Sequence, residues 1–467
     1  MRAVVASALL LPLLACQART RPYLVLAPLE SEGEVYVYLQ PFAAGAEKLS
    51  FSIQSVAAVR SDGTSVPLEV MLADVSRETA PRQRLLAFGR LPPDAYAALA
   101  IQVGRAALLT PDGKADLHLT KEPARIPVGF QIARRRSTVL SLSLQVDQAV
   151  SASYGFTPAF AATLSPVPVT QLTGYASSPG SAALAVFDKR RQDVVAVLPT
   201  GREPHGVVLD QVQLRAYVAL TGDDQVQILD LTGGEEIGRI SLQPGDRPRE
   251  LALTPDGRTL VATNPGSRTV SILDPGSRLE RDRVRVGEDP DALVLDRTGQ
   301  RLFVLNRRSA TVSVLDLGTR QAVGTIPTDP EPIAGQLNRA GTRLYVAHAG
   351  SAYLNVYSLP DLGLSTRIYV GLGATALKVD PRTDLVYVGR NEGRLDVYDP
   401  SAFIPVDRID LPGVPSYLVI DDRENALLAL VPEARQAAVV DLTRRRVVGQ
   451  IDLLPGPHEL AVTGERY

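Results

Sequence analysis

PRELALTPDGRTLVATNPGSRTVSILD (248–274) and PDALVLDRTGQRLFVLNRRSATVSVLD (290–316) are two copies of one unit, and that relation decides the fold. Units of this kind open at Pro204, Pro248, Pro290, Pro332, Ala374, Pro415 and Pro457, at spacings of 44, 42, 42, 42, 41 and 42 residues. Each unit holds four short apolar or alternating runs separated by turn residues, the pattern of a four-stranded antiparallel sheet. A period of this size with four strands per unit predicts a β-propeller blade. The seventh start gives a single strand, PHELAV, before Tyr467. Its missing second, third and fourth strands stand upstream, in QLTGYASSPGSAALAVFDKRRQDVVAVLPTG (171–201). Six complete blades and one composite blade make seven.

Between the repeats, the recurring polar residues read as turn chemistry. The third strand of a unit ends in Asp188, Asp230, Asp274, Asp316, Asp399 and Asp441, with Ser358 breaking the series. An aspartate after a strand accepts hydrogen bonds from the backbone two residues on and starts the next turn. Equivalent propeller positions lie on a wide circle, whereas a calcium site needs several oxygens in one place, so a metal ring is not the expectation. Pro255-Asp256-Gly257 is a hairpin turn with glycine at positive φ, and Arg297-Thr298-Gly299 and Arg339-Ala340-Gly341 keep only that glycine.

YVALTGDDQVQILD, LVATNPGSRTVSILD and YVAHAGSAYLNVYS resemble the YVTN family of bacterial and archaeal propeller repeats. No copy keeps all four signature letters; LVATN (260–264) and FVLN (303–306) come nearest. The resemblance covers roughly 165–467 and implies a fold. Its function stays open, because that family spans surface-layer proteins, lipoproteins and propellers related to lactonases and redox enzymes.

The chain opens MRAVVASALLLPLLAC: one Arg, a short apolar run, then small residues. This reads as a secretory signal, too short for a membrane span. Leu13-Leu14-Ala15-Cys16 resembles the lipobox of bacterial lipoproteins, in which the cysteine is lipidated and becomes the new N-terminus. Cys16 is the sole cysteine of 467 residues, and an unpaired thiol in a secreted chain needs such an explanation. Gln17 after the cysteine implies the outer membrane in a Gram-negative host, periplasmic or surface face. Two or three acyl chains give stable anchoring where one is marginal.

The expected layout is therefore a leader at 1–16, a tether at 17–30, a strand-rich domain at 31–160 and the propeller at 165–467. The strand-rich segment reads EVYVYLQ, KLSFSIQSVAAV, TSVPLEVML, YAALAIQVGRAALL, ADLHLT and STVLSLSLQVD, with hairpin turns at Asp62-Gly63 and Pro111-Asp112-Gly113. Short alternating strands at this spacing predict an antiparallel β-sandwich. LPPDAYAALAIQV (91–103) and STVLSLSLQVD (137–147) resemble a bacterial domain of unknown function with a transthyretin-like sandwich. Pro158, Pro166 and Pro168 mark the boundary. The fold class is all-β: a sandwich, then a seven-bladed propeller with a composite closing blade.

Lys plus Arg number 49 and Asp plus Glu 51, so no basic face is implied and nucleic acid is not an expected partner. Arg134-Arg135-Arg136 and Arg444-Arg445-Arg446 read as solvated turns. With 45% hydrophobic residues the chain can bury two substantial cores without disulfides.

First strands line the channel of a propeller, so the residue after each blade-opening position is a site candidate. Going round, this column reads His205, Arg249, Asp291, Ile333, Thr375, Ser416 and His458. Ring closure makes His458 and His205 neighbours, with Glu459 and Glu250 following His458 and Arg249. A His–His–Glu group at a channel mouth has the chemistry to hold a transition metal or to move protons. The plainer account is that Pro-His simply opens this repeat often. His118 falls in the first domain and His348 in a loop after a second strand, so a multi-copper or haem propeller has too few ligands. No Cys-x-x-Cys-His, Gly-x-Ser-x-Gly or phosphate loop occurs, and no blade carries a long insertion. Tryptophan is absent, which weakens a sugar-stacking platform, although 15 tyrosines keep one open.

The sequence thus points to a monomeric, lipid-anchored envelope protein that binds rather than catalyses, without metal or cofactor. Its expected partner is an envelope protein or cell-surface polymer, met by loops such as 306–309 and 391–394. The rival is a channel-centred enzyme of the lactonase or lyase kind using His205, His458, Glu459 and Glu250. A periplasmic accessory to a redox enzyme is the third reading.

Overall fold

A computed structural model describes residues 26–465 apart from 43–45, 112, 121, 152–153, 167–168, 360 and 403. The leader, Cys16 and positions 17–25 of the tether lie outside the described residues. Seven four-stranded antiparallel sheets follow one another as blades. Blades 1 to 6 run 204–241, 251–285, 290–327, 332–369, 374–410 and 417–452, each with its strands in chain order from the channel outward. Blade 7 is composite. Its innermost strand, Glu459–Val462, pairs with Thr173–Ser178 in the register Gly174↔Val462 to Ser177↔Glu459.

Neighbouring blades cohere where a second strand buries a large aromatic side chain in the next blade. Tyr217 packs with Leu251 and Leu260, Phe303 with Leu344 and Val346, Tyr345 with Leu377 and Val386, and Tyr387 with Leu418 and Leu427. All four rings are buried, and burying one such ring stabilises by about 1.5–3 kcal/mol. The first hairpin of each blade needs one residue at positive φ. Gly257 and Gly299 supply it without strain, while Leu214 and Asn425 meet the same demand at φ 53 and 50. The third-strand aspartates do what turn chemistry asks. Asp188 Oδ1 accepts from the N–H groups of Arg190 and Arg191, and Asp441 Oδ1 from those of Thr443 and Arg444.

Ahead of the propeller, ten strands form one sheet curled around its own core. The expected sandwich takes this continuous form, and one ladder departs from antiparallel pairing: Gly33–Leu39 lies parallel to Ser137–Leu144. The sheet's last strand, Phe160–Leu164, pairs with Ser137–Leu144, so it continues past residue 160.

Gly33–Leu39 is buried along its whole length because both its faces are covered. Val35, Val37 and Leu39 enter the sheet's own core. Tyr36 and Tyr38 join Leu428, Leu430, Leu453 and Leu454 of the propeller. Polar bonds reinforce this seam: Gln83 exchanges two with the Val194 backbone, at 2.7 and 3.2 Å. Asp452, buried, accepts from the Leu85 N–H at 3.0 Å and pairs with Arg84 at 3.1 Å. The described end of the expected tether is also held, the Leu26 N–H donating to Gly180 O of blade 7 at 2.9 Å.

Candidate functional site

Inner strands start at one face of the propeller and end in hairpins at the other, so successive residues along them define layers of the channel. The first layer holds the residues that follow each blade opening. The rings of His205 and His458 meet edge to face, with centroids 4.4 Å apart. Arg249 pairs with Asp291 at 3.0 Å. Arg307 stands 4.0 Å from the same carboxylate. Ser416 is exposed, and the buried Thr375 hydroxyl has no hydrogen-bond partner.

The His205 tautomer follows from its neighbours. The Thr221 hydroxyl donates to Pro248 O at 2.6 Å, so towards His205 it accepts. Nδ1 of His205 lies 2.8 Å from that hydroxyl and 3.0 Å from Glu203 O. Nδ1 therefore carries the proton and Nε2 the lone pair. Burial lowers the His205 pKa. Burial first, then His205 and Arg249, push His458 down to about 3. Both rings are neutral at pH 7, and His458 is far below the range of a useful proton shuttle.

One residue further along lie Glu250 and Glu459. The expectation of a joint His–His–Glu group is corrected here: the carboxyls form a separate pair. Among the described residues, no three His, Cys, Asp or Glu side chains converge on a metal-sized space. The cause is Gly206, which occupies the intervening position of blade 1. A Cβ there would stand 2.4 Å from Arg249 O and 3.1 Å from the Glu250 Cα. Its absence lets the two glutamates from blades 7 and 2 bond to each other. Glu459 Oε1 accepts from the Val207 N–H at 3.3 Å and faces the Tyr417 hydroxyl at 3.4 Å. Glu459 Oε2 has no donor. A buried carboxylate oxygen facing a second carboxyl is satisfied by a shared proton. Accordingly burial, with Asp291 adding to it, pushes Glu250 up to about 8. Burial and the charge of Glu250 raise Glu459 well above the usual carboxylate range.

This pair lies at the inner end of a cavity of about 1050 Å³ lined by all seven inner strands. The wall is apolar, with Leu251, Leu293, Leu337, Val379, Leu460 and Ala461. The rim, on the hairpin face, is polar, with Asp210, Asp256, Arg297, Arg339 and Arg382. Lys378 also lines it and is bound to Glu465 at 2.6 Å. No His, Ser or Cys is among the described lining residues, and the Thr254 hydroxyl is committed to Asp256 and Thr259. His348 is buried away from the lining, its Nδ1 3.3 Å from Tyr353 O, and His118 is exposed in a separate two-stranded sheet with Gly155–Phe156.

The cavity and the role of Tyr417 and Lys378 had no counterpart in the sequence reading. A signal existed. The second position after each blade opening reads Gly206, Glu250, Ala292, Ala334, Ala376, Tyr417 and Glu459. Two glutamates on either side of a glycine stand out in a column of otherwise mostly small residues.

No protein-family model matches the chain, and no curated protein does. The YVTN likeness therefore rests on the sequence motifs. Solved structures of propeller type match the chain. A functionally unknown protein from Desulfotomaculum acetoxidans DSM 771 is 12% identical, with a TM-score of 0.55, over 62% of this chain and 98% of that one. The dihydro-heme d1 dehydrogenase NirN, solved in complex with DHE, is 15% identical, with a TM-score of 0.50, over 63% of this chain and 76% of that one. At these identities the likeness is one of fold.

Proposed function

We propose that this chain is a non-catalytic binding protein of the cell envelope, held by lipid on Cys16, whose propeller takes a small ligand into its central cavity. The observation that carries this reading is the cavity itself: apolar walls, a polar rim and a few convergent polar groups at the inner end. Binding is favoured over chemistry because the described lining offers no Ser or Cys nucleophile beside a base, its Thr254 hydroxyl is committed, and Lys378 is held in an ion pair with Glu465. The Glu250 and Glu459 carboxyls are also bound to each other, not set apart across a scissile bond as in glycoside hydrolysis.

The docked tether agrees with this arrangement. Gly180 lies in the turn between Thr173–Ser178 and Ala183–Asp188, on the face opposite the cavity mouth. Nine residues separate Cys16 from Leu26, a span of at most ~35 Å. A lipid on Cys16 then turns the cavity mouth away from its own membrane. An outer-membrane address in a Gram-negative cell completes the proposal.

A lactonase- or lyase-type enzyme is the second reading, and the proton-sharing pair is what favours it, since such a pair can both give and take a proton. An accessory role to a redox enzyme differs only in its partner. Native mass spectrometry of detergent-extracted protein, mixed with envelope small molecules, separates these readings. A binder carries an unaltered ligand in the wild type and carries less of it in Leu293→Trp, whose ring obstructs the channel. A ligand returned chemically altered sinks the non-catalytic reading. Recovery of wild-type protein in the soluble fraction without acyl mass, unchanged by Cys16→Ser, sinks the anchor.

A further inference from the structure

We propose that the cavity selects an organic amine, its apolar body along the channel wall and its ammonium group between Glu250 and Glu459. This rests on the cavity being the binding site and names the class of ligand it takes.

The argument is one of missing complements. Asp291 has Arg249 at 3.0 Å, Glu465 has Lys378 at 2.6 Å, and Asp422 has Arg382 at 3.7 Å. Among the described residues, the two glutamates at the inner end have no cation paired with them, only each other and the two donors to Glu459 Oε1. Every group packed around them confirms the shortage. Arg249 and Asp291 from blades 2 and 3 neutralise one another, as do Lys378 and Glu465. His205 and His458, one layer away, are uncharged. Tyr417 and the Val207 N–H are already directed at Glu459 Oε1. Glu250, only half-buried, borders the cavity, and behind it Glu459 Oε2 is closed to solvent with no N–H or hydroxyl donor.

An anionic or carbonyl head group would meet acceptors at this end. An ammonium group brings three N–H donors to two carboxyls. The wall from Leu251 to Thr254 is roughly 10 Å of strand, room for a six-carbon chain. Binding has a proton balance: the ammonium keeps its own protons, and one of the two protons held by the glutamates leaves to solvent, so that the single negative charge left on the pair is met by the ammonium.

The test is calorimetry with n-hexylamine, n-hexanol and hexanoate on the full-length, detergent-extracted protein, in two buffers of different ionisation enthalpy. For hexylamine we expect close to one proton released at pH 6.5 and close to none at pH 9.5. Its affinity should rise about tenfold per pH unit between pH 6 and 7.5. Hexanol and hexanoate should bind at least tenfold more weakly. In Glu459→Gln, the proton release should shrink and the pH dependence flatten. The proton count on wild-type protein needs no variant to fold. Hexanol or hexanoate binding as well as hexylamine, with no proton release, overturns the amine and leaves the cavity reading standing. Binding of none of the three, or hexylamine binding untouched by Leu293→Trp, overturns both.

Discussion

Glu459 Oε1 accepts the Val207 N–H at 3.3 Å, so the last strand of the chain bonds to the first strand of blade 1 across the closure. The same side chain meets Glu250 beyond Gly206. Ring closure therefore does two things at once: it completes the seventh sheet and it assembles the channel's carboxyl pair.

That pair sets a pH dependence with a definite sign. Both glutamates hold protons in the folded protein at pH values where the unfolded chain has released them near 4.5. The folded state then binds more protons, and stability falls as pH rises from about 4.5 towards 8. Glu459→Gln keeps the shape and removes one of the two raised groups. We expect its stability in urea to fall less than that of the wild type as pH rises from 4.5 to 8.5. Parallel curves for the two proteins would refute the shared proton.

The histidines act at the other end of the scale. His458 stays neutral to about pH 3 when folded and charges near 6.5 when unfolded. Its contribution is fully present above pH 6.5 and is lost as pH falls below that value. His458→Gln should be less stable than wild type at pH 7, through lost packing against His205, yet should lose less on going to pH 4.5. The difference in slope should approach about 1.4 kcal/mol per pH unit between 6 and 4.5. Equal acid sensitivity would show that His458 is solvated.

The propeller was legible because its information is local and repeated. Four runs recur in each copy and a hairpin glycine and a turn aspartate in several, and Pro457-His458-Glu459 repeats the opening of a blade whose remainder stands at 171–201. The column holding His205 and His458 was legible for the same reason. Their separation from the glutamates was not, since it depends on Gly206, whose effect comes from a missing side chain. The cavity was equally hidden, because Leu251 or Leu293 reads the same in a core and in a channel wall. EVYVYLQ, read as one strand of a free sandwich, conceals a second interface. Its tyrosines face the propeller, and such a doubly covered strand looks like any apolar run.

Deleting 457–467 tests closure. It removes the inner strand of blade 7, Glu459 from the carboxyl pair, and Glu465 from Lys378. Thr173–Ser178 is left with an open edge facing the channel. The truncated chain should lose its cooperative melt and aggregate, in contrast to the usual tolerance of chain ends. A melt within a few degrees of the full-length protein would show that the closing strand is dispensable.

The seam between the curled sheet and the propeller makes the last prediction. Asp452 is 1% exposed, and its partners there, Arg84 and the Leu85 N–H, both come from the curled sheet. Arg82 stands 3.9 Å away and also bonds Gln436 at 2.6 Å. Removing one member of a buried ion pair leaves the other uncompensated and costs about 3–5 kcal/mol. Asp452→Ala should therefore destabilise by that amount and split one melting transition into two, with the curled sheet opening first. Arg84→Met alone should cost less, because it leaves the carboxylate its bond from Leu85. Arg84→Met combined with Asp452→Leu should recover much of the loss, since paired apolar replacements at such sites are often near neutral. Calorimetry gives the transitions, and proteolysis of 26–164 reports which part opens. A loss under about 1 kcal/mol for Asp452→Ala, with a single unchanged transition, would mean that the apolar contacts of Tyr36, Tyr38 and Leu454 hold the two parts together unaided.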